Sequence, residues 1–376
     1  MIYFIYIIII IAFLDTFSQL PIIAPFAQDL GATSLFIGLI IGVYSLTNIF
    51  GNLIAGFWID KFGRKKIIII GMLFVSVCLF AYTFVTTPQQ LLGIRMLHGI
   101  GGGLLIPAAF ALLGDNAGTK NRGKIMAFSG ACVGTSAIIG PAFGAITTQV
   151  LGINFVFMII SVLFLITTLL IFIFLKDSFI PKQTDIVKFE YKHFSKLLLL
   201  PPLINAYIGA FSLMLTLGIL AYMLPFKMEA IQQSAIFSGM LLSTFGIVAI
   251  LFFLLPTNKL FDKIRREKLI LAGMLLVVVA LMILSLFNQL IILFTAMIFY
   301  GAGFACIFPS VTALVLDHAR KNERGKAFGL FYAFFSLGVV FGSFFIGSLN
   351  TDPNQGFFIG ALLMSFLSFI IYRRIS

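Results

Sequence analysis

The sequence predicts an all-α membrane protein, with twelve transmembrane helices arranged as two six-helix bundles. Three observations lead there. Of 376 residues, 61% are hydrophobic and only 10% are charged, whereas ordinary domains carry about a quarter charged residues; so few charges cannot coat a water-soluble globule. The apolar runs are also long. No charge occurs between Phe155 and Leu175, and about 20 apolar residues cross a ~30 Å hydrocarbon core as a helix. Finally, the chain repeats itself. Slid along itself by 202 positions, Asp60, Lys61, Arg64 and Lys66 land on Asp262, Lys263, Arg266 and Lys268. Gly99, Gly101, Pro107, Asp115, Arg122, Gly123 and Lys124 land on Gly301, Gly303, Pro309, Asp317, Arg324, Gly325 and Lys326.

Taken in order, span 1 covers residues 2–25. It begins without a basic region or a small-residue cleavage site, so a cleaved signal peptide is not expected. Its end reads "SQLPIIAPFAQDLG" (18–31). Pro21 and Pro25 should kink the helix there, which membranes tolerate where protein or water lines the bend. Spans 2 to 6 are 35–57, 67–87, 89–114, 125–151 and 155–175. Spans 7 to 12 are 197–226, 233–256, 269–287, 289–316, 327–349 and 356–372. Run length favours helices, because barrel strands show alternating segments of about ten residues. The longest polar stretch, "KDSFIPKQTDIVKFEYKHFSK" (176–196), is the expected cytoplasmic linker between an N-terminal bundle (1–175) and a C-terminal bundle (197–376). Copies repeated in the same orientation imply an axis along the membrane normal.

Charge placement sets the expected topology. Of the 25 Lys and Arg, all but Arg95 and Lys227 lie in loops after even-numbered spans or in the C-terminal tail. The positive-inside rule places those loops and both termini in the cytoplasm of a cell-membrane protein. The net charge of +12 is therefore a topology signal and not a nucleic-acid footprint. Cys78, Cys132 and Cys306 all fall inside spans, where they read as small packing residues without disulfide or metal spacing. Nothing matches the phosphate-binding Gly-x4-Gly-Lys-Ser/Thr loop, and His193 and His318 sit in basic loops. No enzyme activity, metal or cofactor is expected. The partners are a small-molecule substrate, protons and the lipid bilayer, and a monomer is expected.

Three motifs carry a family resemblance over essentially the whole chain. "GNLIAGFWIDKFGRKK" (51–66), between spans 2 and 3, resembles the loop 2–3 signature of the major facilitator superfamily. "LLGIRMLHGIGGG" (91–103) is similar to the Arg-centred motif of its drug/proton antiporter branch. "GTSAIIGPAFGA" (134–145) resembles the antiporter signature through Gly140, Pro141 and Gly144, with Ala145 and Ser136 standing where that signature has Gly. The resemblance implies the major facilitator fold and alternating access. It also implies a latch: Asp60 would cap the N-terminus of span 11, using that helix dipole, with Arg122 as its cationic partner. Asp262 and Arg324 would do the same against span 5, each latch contributing about 1 kcal/mol. Gly51 and Gly56 would let span 2 approach a neighbour closely, and Gly63, Arg64 and Arg266 complete the motif. The plainer alternative is that the bases only fix topology. The second copy departs at Arg265, Phe253 and Asn258, which replace Gly63, Gly51 and Gly56, and at Gly342-Ser343, which the 202-residue offset matches to Gly140-Pro141.

Ionisable groups inside the bilayer cost a few kcal/mol each and rarely persist without a function. Spans 5 to 12 hold none; the exceptions are Asp15 in span 1 and Arg95 with His98 in span 4. At 1.5 Å per residue, Asp15 lies about 20 Å from the cytoplasmic face and Arg95 about 21 Å in a ~30 Å core. They can share one level, and His98 falls on the same helix face as Arg95. The expected chemistry is proton coupling. Protonation would release Asp15 from Arg95, and deprotonation would restore the pair or admit a cationic substrate. The alternatives are a buried pair that only packs span 1 on span 4, and a His98 that only packs. Gln19, Tyr44, Asn48, Asn205, Tyr207, Tyr300 and Tyr332 are candidate cavity residues. The reading is a proton-coupled exporter of small lipophilic or cationic compounds. Three alternatives stay open: an exporter of one metabolite, metallophore or lipid-like molecule; an importer of the same superfamily; and a non-transporting sensor.

Overall fold

A backbone inside a bilayer must satisfy its own hydrogen bonds, and this chain does so with helices. The structure, a computed structural model, describes residues 2–116, 122–175, 197–254, 264–318 and 324–375. The expected linker, 176–196, lies outside the described residues. Span 1 is α1 (Ile2–Gln19) and α2 (Ile23–Asp29), followed by α3 (Ser34–Phe62), α4 (Arg64–Tyr82), α5 (Pro88–Asn116), α6 (Arg122–Leu151) and α7 (Ile153–Phe174). Spans 7 to 12 are α8 (Pro201–Ala230), α9 (Ile236–Leu254), α10 (Arg266–Leu286), α11 (Leu290–His318), α12 (Arg324–Leu349) and α13 (Pro353–Ile375). Among the described residues, ten helices are long and apolar enough to cross a membrane. The pair α1–α2, bent by 48° at a break that contains Pro21, with Pro25 inside α2, makes an eleventh, and α9 is a shorter apolar helix. This is a multi-pass membrane protein.

Two compact units emerge: Met1–Thr184 with Gln233–Ser243, and Asp185–Gln232 with Thr244–Ser376. In the first, α1 packs on α6, α3 on α5, and α4 on α5 and α7. Three of these four pairings recur in the second, where α8 packs on α12, and α10 on α11 and α13. Small residues make the approaches close. A Cβ on Gly51 of α3 would lie 2.3 Å from the Ile100 carbonyl oxygen and 2.9 Å from the Gly103 Cα of α5. At Gly51, therefore, α3 lies too close to α5 to admit any side chain.

The repeat register needs one correction. Gly140 and Gly144 of α6 press on Phe17 and Ser18 of α1; in the second unit the glycines pressing on α8, at Phe211 and Leu215, are Gly338 and Gly342. Gly342 thus matches Gly144, and Pro141 corresponds to Val339, not to Ser343. The reason is length. α6 has 30 residues and α12 has 26, a difference close to one helical turn. Removing a turn shortens the helix yet keeps the same face on its partner.

The charge knot also resolves. α3 and α4 extend past the expected span ends, leaving Gly63 as the break between them, at φ 89° and ψ 158°. That backbone region is essentially restricted to glycine. Arg64 folds back, its Nη1 donating to the Ile59 carbonyl at 3.4 Å, as bases do at helix C-termini. Lys65 reaches the Phe172 carbonyl at the end of α7, at 3.1 Å. In the second copy the matching residue, Arg265, sits at φ −56° and ψ 137°, a conformation open to any residue. That accounts for the loss of the glycine there.

Lys227 departs from expectation. The sequence places it in an outer loop, but it lies within the last turn of α8 and is 1% exposed. Its Nζ donates to Asn288 Oδ1 at 2.6 Å and to Asn354 Oδ1, drawing the ends of α8, α10 and α13 together. Both asparagines are exposed. Lys227→Met should therefore be nearly neutral, because the freed amides turn to water. Asn354→Leu should cost about 1–3 kcal/mol by stripping a partner from a buried cation. Thermal unfolding of the two variants checks the order, and a more damaging Lys227→Met would refute it.

Candidate functional site

In the first unit, Asp15 of α1 and Arg95 with His98 of α5 are buried together. Asp15 is 2% exposed, Arg95 7% and His98 0%. The sequence-level expectation of a direct Asp15–Arg95 pair is not what forms. Asp15 Oδ2 lies 2.9 Å from His98 Nε2, and its Oδ1 accepts from Gln19 Nε2 at 2.5 Å. Gln19 Oε1 in turn accepts from Arg95 Nη1 at 2.7 Å. One helical turn separates Asp15 from Gln19, so the amide fits between the two charges. Its carbonyl can face only the donor-only guanidinium.

Arg95 is held from its other side by α3. Its Nε donates to the Ile40 carbonyl at 3.2 Å and its Nη2 to Ile41 at 3.5 Å, while Cζ sits 4.7 Å above the Tyr44 ring, a cation–π distance. Tyr44 also meets His98 edge-on at 5.1 Å. The far nitrogen of His98, Nδ1, is 3.2 Å from the Tyr82 hydroxyl, and Tyr82 stacks on Phe157 at 4.4 Å. The result is one continuous buried chain: Tyr82, His98, Asp15, Gln19, Arg95.

Local sequence explains the fit. The run after His98, "GIGGG", lets α5 press against its neighbours: a Cβ on Gly99 would meet the Tyr44 carbonyl oxygen at 2.4 Å, and one on Gly101 would meet Phe74 at 2.7 Å. Opposite, Gly140 and Gly144 seat α6 on the backbone of Phe17 and Ser18, between Asp15 and Gln19. Pro141 lies within the unbroken α6. Ser136, standing for a motif glycine, donates to the Ile10 carbonyl of α1 at 2.9 Å.

The second unit has the same scaffold without the charges. Through the Ser18–Leu215 equivalence, Ser212 and Thr216 take the places of Asp15 and Gln19. Tyr300 stands for His98, and Met297 for Arg95. Thr216 Oγ1 and the Tyr300 hydroxyl are 3.0 Å apart, and Phe245 meets Tyr300 edge-on at 5.7 Å, as Tyr44 meets His98.

The other candidate residues are dispersed. Asn48 donates to the Gly99 carbonyl at 3.3 Å and accepts from Asn52 at 2.9 Å. Asn205, 5% exposed, accepts from Arg374 Nε at 2.9 Å. Tyr207 is buried, stacked on Phe334 at 5.1 Å, with no partner for its hydroxyl among the described residues. Tyr332 is exposed. Of the latch residues, Asp262 lies outside the described residues, as do the side chains of Asp60, Arg122 and Arg324 and the surroundings of Gly56; Arg266 opens α10. Sequence reasoning missed Tyr82 altogether. It precedes His98 by 16 positions, and no spacing rule couples residues across an interhelical turn.

Comparison with known proteins adds the relatives. The profile described as Major Facilitator Superfamily matches residues 5–226 and 206–376. Multidrug resistance protein 1 of Bacillus subtilis is 25% identical over 365 residues, covering 94% of this chain and 91% of that protein. The quinolone resistance protein NorA of Staphylococcus aureus is 24% identical over 357 residues, covering 93% and 89%. A mutant of the nucleoside transporter NupG superposes over 100% of both chains with a TM-score of 0.83 at 16% identity, a likeness of fold alone.

Proposed function

The chain belongs to the Major Facilitator Superfamily, and from that premise we propose that it is a proton-coupled exporter of small lipophilic or monocationic compounds. Family and fold are those of transporters of small molecules, not of enzymes. The observation that carries the finer reading is the buried chain from Tyr82 to Arg95, set against its neutral counterpart in the second unit. A scaffold used twice but charged once has a use for the charges.

The charge count suggests how exchange is enforced. With Asp15 ionised, His98 neutral and Arg95 cationic, the cluster is neutral. One added proton makes it positive, so a proton and a monocationic substrate repel each other there. Mutual exclusion of the two cargoes is antiport. The drug-resistance and quinolone-resistance names of the Bacillus and Staphylococcus relatives support a drug-like substrate moved out of the cell. The distribution of basic residues supports cytoplasmic termini. The latch at Asp60 with Arg122, and at Asp262 with Arg324, is part of the same proposal.

The test uses purified protein in proteoliposomes with a lipophilic fluorescent cation and an imposed pH gradient. Dye should move against the proton flow and stop when the gradient is collapsed. Dye movement indifferent to the gradient would sink the coupling. No movement of dye or protons would sink the substrate class, and leave one dedicated metabolite as the class to test.

A further inference from the structure

The charge count just described does not use Tyr82, yet Tyr82 is 0% exposed and its hydroxyl faces Nδ1 of His98. The hydrogens of the network follow from the donor inventory. Arg95 only donates, so Gln19 presents Oε1 to it and must present Nε2 to Asp15. Asp15 Oδ1 is thereby kept an acceptor. A proton taken up by this carboxyl can sit only on Oδ2, the oxygen that faces His98.

Two protonation levels then have distinct patterns. With Asp15 ionised and His98 neutral, Nε2 carries the imidazole hydrogen, because a lone pair there would face a carboxylate. Nδ1 is bare, and Tyr82 donates to it. Add one proton. Placed on the imidazole, it makes both nitrogens donors. Placed on Oδ2, it donates to Nε2, and the imidazole hydrogen moves to Nδ1. In either case Nδ1 bears a hydrogen, and the Tyr82 oxygen must accept.

We propose that Tyr82 is the proton relay of this site, and that loading one proton reverses its hydrogen bond with His98. In loading, the Tyr82 O–H bond breaks as the Nδ1–H bond forms, and the tyrosine oxygen takes a replacement proton from hydronium. Tyr82 gains no net charge, and unloading runs the same exchange backward. Its position suits a relay, because it is the last residue of α4 and is followed by a turn in which Phe84, Thr86 and Thr87 are exposed. Among the described residues, the other titratable or charged groups facing this pair are Asp15 from α1 and Tyr44 from α3, with Arg95 of the same helix over the Tyr44 ring and Cys78 of α4 near Asp15. Asp15 holds Nε2 and, among the described residues, Tyr82 holds Nδ1.

The relay rests on the proton-coupled reading, whereas the reversal can be read without transport. The full chain, labelled with 15N-histidine in lipid, would be titrated by NMR, with the His98 signals identified by their absence from His98→Gln. Nδ1 should be of acceptor type at the alkaline end and protonated at the acid end, with Nε2 protonated at the alkaline end. An Nδ1 protonated throughout would overturn the proposal. Tyr82→Phe, which keeps the stack on Phe157, should slow gradient-driven transport about a hundredfold while substrate-for-substrate exchange, which moves no net proton, continues. Unchanged driven transport in Tyr82→Phe would overturn the relay. Reversal at Nδ1 in a wild type without proton-coupled flux would instead overturn the antiport reading alone.

Discussion

Asp15→Asn is expected to leave the chain folded and to reduce gradient-driven transport by about 10²–10⁴-fold, the contribution typical of a positioned acid–base group. Asparagine preserves the shape of the network. Its Oδ1 still accepts from Gln19, and its Nδ2 now donates to His98 Nε2. That donation forces the imidazole hydrogen to Nδ1, so the variant reproduces the hydrogen-bond pattern of the proton-loaded site and cannot leave it. Because the loaded pattern is one the working cycle visits, the fold should tolerate it. Substrate exchange at zero gradient should persist, with weaker affinity for a cation because Arg95 has lost its counter-charge. Side-by-side proteoliposome assays of driven uptake and exchange check this. Wild-type driven transport by Asp15→Asn would move the coupling elsewhere, with His98 the next residue to replace.

Much of this site is legible in the sequence. Depth arithmetic at 1.5 Å per residue puts Asp15 and Arg95 at one level, and helical periodicity puts His98 on the face of Arg95. Both are one-dimensional properties of a helix, and a membrane makes them reliable by fixing where helices begin. What the sequence hides is lateral. The choice of Asp15's partner between two bases one turn apart depends on helix rotation, and Gln19 occupies the place at Arg95 because α1 runs on for one more turn before it breaks. Tyr82 reaches His98 across an interhelical turn, which no periodicity encodes. Lys227 reads as a loop residue because a charge normally ends an apolar run; two exposed asparagines let the helix continue past it.

The internal repeat is visible for the same one-dimensional reason and misaligned for the same lateral one. A fixed offset of 202 works wherever both copies keep their length. It fails between α1 and α8, where Ser18 corresponds to Leu215, and within α12, where deleting four residues from a helix preserves the contact face while shifting every number. Only the packing of Gly338 and Gly342 on α8 exposes the shift. With the register corrected, the comparison sharpens: neutral Ser212, Thr216, Met297 and Tyr300 replace Asp15, Gln19, Arg95 and His98 one for one.

That correspondence supplies the control for the second large effect, Gly144→Val. A Cβ at Gly144 would lie 2.0 Å from the Ser18 carbonyl oxygen and 2.9 Å from its carbon. Both are backbone atoms, so no side-chain rotation relieves the clash. α1 must move by about 1 Å, and a displacement of that size can cost about a hundredfold when it misplaces reacting groups. The turn that moves carries Asp15 and Gln19. Gly342→Val imposes nearly the same insult on the second unit, with a Cβ 2.2 Å from the Leu215 carbonyl oxygen, but beside neutral residues. Overpacking should lower the stability of both by about 1–3 kcal/mol, read as comparable drops in thermal unfolding temperature. Driven transport should fall about a hundredfold further in Gly144→Val than in Gly342→Val. Equal losses of transport would mean that the glycines matter only for holding helices together. An unequal loss, at equal stability, would mean that the Gly-Pro-x-x-Gly motif acts through α1: it donates and accepts no proton itself, but sets the backbone on which the proton-bearing carboxylate stands.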